Sequence, residues 1–210
     1  MSDFFQNGII STLHDFGTKS TSSIEKDLHK FSKERKMELI LPCLYSELEG
    51  SALPNIVEEI SKTKYLNHVI IGLDKANQVQ AKKAWKFFKK LKTSFSILWN
   101  DGPKLKKLDS ELKKKDLAPN ELGKGRNVWY CIGMAIARDS ARSVALHDCD
   151  IKTYDRRMLA KLFYPVVNPL FNFEFCKGYY PRVANDKMNG RVARLLVFPL
   201  LTALEKTIGK

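Results

Sequence analysis

The sequence predicts an α/β fold, a mostly parallel sheet flanked by helices on both faces, with an N-terminal helical arm. Three observations predict it. Apolar runs of strand length recur at 37–41 (MELIL), 68–74 (HVIIGLD), 94–100 (SFSILWN) and 143–150 (SVALHDCD). Segments with helical periodicity stand between them, and such alternation favours parallel strands joined by crossover helices. The length, 210 residues with 44% hydrophobic and 28% charged, fits one globular domain or one with an appendage.

Taken in order, residues 1–17 read as a short helical arm. In 20–36 serines at capping positions precede Ile24, Leu28 and Phe31 at helical spacing, so a second amphipathic helix completes an arm over 1–36 ahead of a main domain over 37–210. MELIL is the first strand and is expected to end at Pro42, which lacks a ladder donor. SALPNIVEEISK (51–62) is helical. HVIIGLD is the second strand. A lysine-rich helix over Gln78–Leu91 follows, with Ala84, Phe87, Phe88 and Leu91 inward and Trp85 assigned to the core. SFSILWN is the third strand. Residues 101–122 are polar and lysine-rich, a long loop with one exposed helical turn, of the kind that often forms a lid. Residues 123–140 form an amphipathic helix with Val128, Ile132, Ala135 and Ile136 along its apolar stripe. SVALHDCD is the fourth strand, Arg156–Phe163 a helix, 172–180 a strand exposed on one side, 181–190 a polar loop and 191–206 a last helix.

Composition removes several function classes. The apolar stretch Leu195–Leu204 is broken by Pro199 and is shorter than the roughly 20 residues of a membrane span. The N-terminus carries Asp3 and no small-residue cleavage site, so a secretory leader is not expected and the protein is placed in the cytoplasm. Cys43, Cys131, Cys149 and Cys176 contain no CxxC spacing and read as reduced, buried thiols. The net charge of +13 is concentrated in Lys82–Lys92 and Lys104–Lys115 and favours anionic partners. Those runs read first as solvated helix faces, because lysine stems cover apolar surface while the ammonium stays wet.

Three constellations carry chemistry. His147-Asp148-Cys149-Asp150 follows the apolar strand residues, and on an extended chain positions i and i+2 point the same way. Asp148 and Asp150 therefore converge on one hard cation, Mg²⁺ or Mn²⁺, or divide a cation and a ribose hydroxyl between them. His147 is left out of the metal site. Gly123-Lys124-Gly125 opens a helix, where free amides and a lysine suit phosphate, although no Walker A spacing is present. Met188 to Arg194 again enters a helix, with Gly190 for close approach and Arg191 for bidentate anion recognition.

In order along the chain, LPCLYSELEG, IIGLD, GKGRNVW, HDCD, KGYYPR and NGRVARLLVFPLL resemble the glucosyl-3-phosphoglycerate synthase family of retaining glycosyltransferases over about Glu38–Leu204. The resemblance implies a GT-A (Rossmann-like) fold and transfer of a hexosyl group from a nucleotide-sugar, UDP-glucose first, to 3-phosphoglycerate. It implies that Pro42, Leu44 and Glu47 lie against uridine and ribose, that Asp74 ends the base-binding strand, and that Lys124 meets the diphosphate. Asp148 would hold the ribose or a metal-bound water, and Asp150 the Mg²⁺ or Mn²⁺. Gly190, Arg191 and Val192 would hold the acceptor, 3-phosphoglycerate. No catalytic nucleophile is assigned. The family's pattern differs at Tyr45-Ser46-Glu47, at Cys149 and at Ala193, and it continues beyond Lys210, so the chain reads as a truncated or degenerate member. A homodimer is an expected assembly. The rival readings are a mannosyl-3-phosphoglycerate synthase or other GT-A transferase, a nucleotide hydrolase or nucleotidyltransferase on the same aspartates, and a non-catalytic basic module binding nucleic acid or other anions.

Overall fold

The computed structural model describes residues 13, 17, 19–171, 173–178, 182–184, 187–189 and 196–208. Two compact units emerge: one spans 19–177, and the other takes the chain before 19 and after 177.

The larger unit is built on four parallel strands, β1 (Met37–Leu44), β2 (Leu66–Asp74), β3 (Phe95–Trp99) and β4 (Ser143–Leu146), in the order β3-β2-β1-β4. The central pair is almost wholly buried and mostly apolar, because helices cover both of its faces, and it also buries Glu38 and His68. On one face Leu39, Leu41, Val69 and Ile71 join α1 (Thr21–Phe31), α2 (Ala52–Ser61) and α6 (Arg156–Val167) in the main core, with Phe88 of α3 (Gln78–Phe88). On the other, Ile40 and Ile70 meet Cys131 and Ala135 of α5 (Lys124–Arg138).

Local chemistry explains the element boundaries. Ser20 caps α1 by accepting the Ser23 N–H, and Asn77 and Gln80 exchange two bonds at the start of α3. Asp155 caps α6 by accepting the Arg157 N–H at 2.7 Å. Ile24 and Leu28 of α1 are buried in the main core, so this helix packs as part of the domain.

Several expectations are corrected. β1 does not end at Pro42 but runs to Leu44, with Pro42 paired to Gly72 and Leu44 to Asp74. The reason is where the missing donor points. Ile40 accepts the His147 N–H, so residues of that parity face β4, and β4 pairing has ended by Leu146. Pro42 thus loses a donor where no strand asks for one. Residues 101–122 are not one long loop, since Pro103–Lys113 form the helix α4. Pro103 at the first turn and Leu105, Leu108 and Leu112 at helical spacing are its signals, masked by the lysines around them.

The inward stripe of α5 is also rotated from expectation. Ile132 and Ile136 are exposed, whereas Asn127, Tyr130, Cys131 and Ala135 are buried. Trp85 lies outside the core and is about half exposed, with the Lys89 ammonium 4.0 Å from its ring centroid. The lysines of 82–92 and 104–115 on α3 and α4 are exposed, as solvated faces are. No strand forms over residues 173–178, the described part of the predicted 172–180. In the second unit, the polar loop predicted over 181–190 instead contains two antiparallel strands, β5 (Arg182–Ala184) and β6 (Lys187–Asn189), with Ala184 paired to Lys187. The final helix, α7, runs over Phe198–Ile208. Among the described residues no helix is long and apolar enough to cross a membrane.

Candidate functional site

Strand order fixes where a ligand is expected. The chain leaves β1 towards β2 and β3 on one side and returns with β4 on the other, so a crevice opens beyond the carboxyl ends of β1 and β4. The acidic motif is at that end. Beyond Leu146 the strand alternation persists although the ladder has stopped: His147 and Cys149 are buried, Asp148 is half-buried and Asp150 exposed. Both aspartates are thus accessible to solvent while Cys149 between them is buried.

Lys124, the first residue of α5, reaches across this crevice and donates to Asp148 Oδ1 at 2.5 Å. Gly123 before it has φ 129°, a backbone region that a residue with a Cβ rarely enters, and this turn aims the helix start at β4. Glu47 lies in the 3-10 turn Tyr45–Glu49 that follows β1, and its Oε2 accepts the Leu44 N–H at 2.8 Å. Burial raises the Glu47 carboxyl above its ordinary range, the Leu44 N–H and Cys43 thiol oppose this, and the charges of Asp150 and Lys124 both reach it. Glu47, Lys124, Asp148 and Asp150 thus form one electrostatic group.

Other predicted residues occupy the same end of the sheet in different ways. Leu44 closes β1 beside Asp74, which closes β2 and accepts the Lys75 N–H at 3.0 Å. Pro42 is buried within β1. Gly190, Arg191 and Val192 lie outside the described residues. His147 stays out of the acidic group: burial lowers its pKa to about 4, and its ring packs edge-on against Tyr154 with centroids 5.4 Å apart. An open cleft of about 740 Å³ lined by Ser61–Lys64 and Lys92–Ser94 lies at the opposite end of β2 and β3 and contains none of the predicted site residues.

Two supports of the site were not anticipated. Asn127 Nδ2 donates to the Gly72 carbonyl at 2.7 Å, which fixes the height of α5 above the sheet. Asp109 on α4 accepts from Tyr130 at 2.5 Å and pairs with Arg126 at 3.0 Å and Lys113 at 2.9 Å. Burial opposes ionisation of Asp109, but these donors outweigh it and hold the carboxyl well below the usual carboxylate range, while burial and Asp109 push the Tyr130 hydroxyl up to about 12. The Asp109–Lys113 spacing of four was a readable helix signal. A third cluster, Cys43, Glu47 and Cys149, brings two thiols and a carboxylate within 4.8 Å of one another beneath the aspartates.

These features define an α/β domain of the GT-A type with a charged edge at its switch point. Along its whole length the chain resembles glucosyl-3-phosphoglycerate synthases, as the motifs implied. It is 44% identical over 209 residues to the glucosyl-3-phosphoglycerate synthase of Persephonella marina, and 37% identical over 206 residues to that of Methanococcoides burtonii. The alignments take in 100% and 97% of this chain but 52% and 50% of the relatives, so the chain spans about half the length of the curated relatives it matches. No family model matches the chain.

Solved structures bear out the fold. Glucosyl-3-phosphoglycerate synthase from Mycobacterium tuberculosis, in complex with Mn²⁺, uridine-diphosphate-glucose and phosphoglyceric acid, superposes with a TM-score of 0.55 at 18% identity, covering 94% of this chain and 58% of that one. The same enzyme with Mn²⁺, uridine diphosphate and glucosyl-3-phosphoglycerate gives 0.53.

Proposed function

We propose that the chain is the donor-binding part of a metal-dependent retaining hexosyltransferase that moves glucose from UDP-glucose to 3-phosphoglycerate, giving glucosyl-3-phosphoglycerate. The observation that carries this reading is the Lys124–Asp148 pair at 2.5 Å, set across the switch point beside Glu47 and Asp150. In the absence of ligand the pair neutralises itself. A diphosphate entering the crevice takes the Lys124 ammonium and the free amides at the α5 N-terminus, and releases Asp148 towards the ribose or a metal-bound water.

The oxygen donors fit a hard dication: Asp150 is exposed at the open edge, with Asp148 two residues before it. Mg²⁺ or Mn²⁺, when bound, supplies charge neutralisation for the departing diphosphate. Leu44, Glu47 and Asp74, at adjacent strand ends, form the wall for uridine and ribose, with Pro42 holding the strand beneath them. Gly190, Arg191 and Val192 receive the phosphate and carboxylate of the acceptor. With no nucleophile assigned, catalysis rests on positioning and on electrostatic stabilisation of the leaving group. The matched relatives and the motif order support this substrate pair. A cytoplasmic enzyme acting as a homodimer completes the reading.

Calorimetric titration with UDP-glucose, UDP and GDP-mannose, each with and without Mn²⁺, tests it. Manganese-dependent binding of the uridine ligands, lost in Asp150→Ala, is the expected result. Equal uridine affinity in that variant sinks the metal assignment, and tight salt-sensitive binding of random nucleic acid with no nucleotide binding replaces the whole reading with the basic-module one.

A further inference from the structure

We propose that Cys43, Cys149 and Glu47 form a second metal site, selective for a soft or borderline dication such as Zn²⁺ and distinct from the oxygen site at Asp150. The Sγ atoms of Cys43 and Cys149 and a carboxylate oxygen of Glu47 all lie within 4.8 Å of one another, near enough for small side-chain rotations to bring them to the ~3.5–3.8 Å separations around a four-coordinate ion. Both thiols are buried and free, and Glu47 is half-buried, so the third ligand lies on the open side and supplies the entrance.

Backbone geometry makes the cluster a built one. β1 and β4 are parallel with Ile40 beside Leu146, and continuing that register by three residues brings Cys43 beside Cys149. Residues adjacent in this way on neighbouring strands present their side chains to one face, here the α2 and α6 face where Leu39, Leu41 and Ala145 are buried. Glu47 is brought back to the same place by the 3-10 turn, whose Leu44 N–H it already holds. Two sulfurs and one carboxylate leave a fourth position for water.

Ligand chemistry separates the two sites. Thiolates select zinc, cobalt and cadmium over magnesium and manganese, whereas the carboxylates of Asp148 and Asp150 prefer the hard ions. On coordination each thiol releases its proton to solvent. An ion seated here ties Cys149, the middle residue of the Asp148–Asp150 turn, to the end of β1. Glu47 is shared with the wall proposed for uridine and ribose, but the test contains neither donor nor acceptor, so its failure is distinguishable from failure of the glycosyl-transfer reading.

Cobalt titration of the full reduced chain, kept in a phosphine reductant, reads the site directly. The intense visible bands of a tetrahedral centre and the ultraviolet thiolate-to-cobalt charge transfer are expected to saturate at one Co²⁺ per chain, bleached by Zn²⁺ and unaffected by excess Mn²⁺, which competes only at the oxygen site. Cys43→Ser and Cys149→Ser each abolish the charge transfer, while Cys131→Ser and Cys176→Ser keep it. X-ray absorption of the zinc-loaded wild-type chain needs no variant and is expected to give two sulfur scatterers at ~2.3 Å. A pale octahedral cobalt spectrum, charge transfer that survives Cys149→Ser, or an all-oxygen zinc shell overturns the proposal.

Discussion

Gly72→Ala tests whether α5 is seated on the sheet by close backbone approach. A Cβ at this position falls 1.8 Å from Asn127 Oδ1, 2.8 Å from Asn127 Cγ and 2.5 Å from Cys131 Sγ. All three lie far inside van der Waals contact, and both side chains belong to buried positions of α5, so the helix must lift or Asn127 must leave. Overpacking of this kind costs about 1–3 kcal/mol. Displacing Asn127 also breaks its 2.7 Å bond to the Gly72 carbonyl, worth about 1 kcal/mol. The sum, roughly 2–4 kcal/mol, corresponds to a fall in melting temperature of roughly 4–16 °C for a chain of this size. Thermal and urea unfolding followed by circular dichroism measure it. Asn127→Ala removes two of the three clashing atoms, so the double variant is expected to be more stable than the sum of the two single effects by about 1 kcal/mol or more. Full stability in Gly72→Ala, or strictly additive effects in the pair, refutes the reasoning.

Lys124→Ala is expected to leave stability within about 0.5 kcal/mol, because the Lys124–Asp148 pair is about half exposed on both sides, yet to weaken UDP binding in manganese about tenfold. Calorimetry and melting curves on the same samples separate the two effects, and unchanged UDP affinity counts against the diphosphate role. Asp109→Asn leaves the mostly buried Arg126 without its counter-charge between α4 and α5 and is expected to cost on the order of 3 kcal/mol at neutral pH. The folded carboxyl is depressed, so its stabilisation is full above the unfolded value of about 4 and fades as pH falls below it. The gap between the urea midpoints of the two proteins should therefore narrow steadily as pH falls from about 4 to 2, and a gap that stays constant to pH 2 contradicts the network.

The strands and the acidic edge were legible because their signals are local. Apolar runs bounded by polar residues give β1 to β4, and the alternation in His147-Asp148-Cys149-Asp150 already separates buried from open positions. What escaped depends on register or on composition read too literally. The lysines of 104–115 concealed a helix whose apolar and capping positions were ordinary. On α5 the expected stripe holds at Ala135 but not at Ile132 and Ile136, which face out while polar Asn127 and Tyr130 face inward. Hydrophobicity does not reveal that a side chain is buried in order to bond a strand carbonyl or a helix aspartate. The Cys43–Cys149 contact required knowing that β4 lies beside β1, a long-range pairing that no local window contains.

The inverted stripe of α5 also bears on how the site is held. Lys124 is exposed and makes one ion pair, so its own contacts do little to place it. Three residues on, Asn127 is fixed to the β2 backbone, and Arg126 and Tyr130 are fixed to Asp109 on α4. The first turns of the helix are therefore anchored from two sides by buried polar bonds, whereas an apolar contact would allow the helix to slide. Gly123, at φ 129°, sets the direction from which the chain enters that turn. Under the proposed function an exposed lysine on a firmly anchored helix start suits a diphosphate, because the amides are already aimed and the lysine would exchange Asp148 for phosphate. By this argument Gly72, Asp109 and Asn127 place the α5 end of the crevice, and the proposed diphosphate role of Lys124 rests on them through the helix rather than on contacts of Lys124 itself.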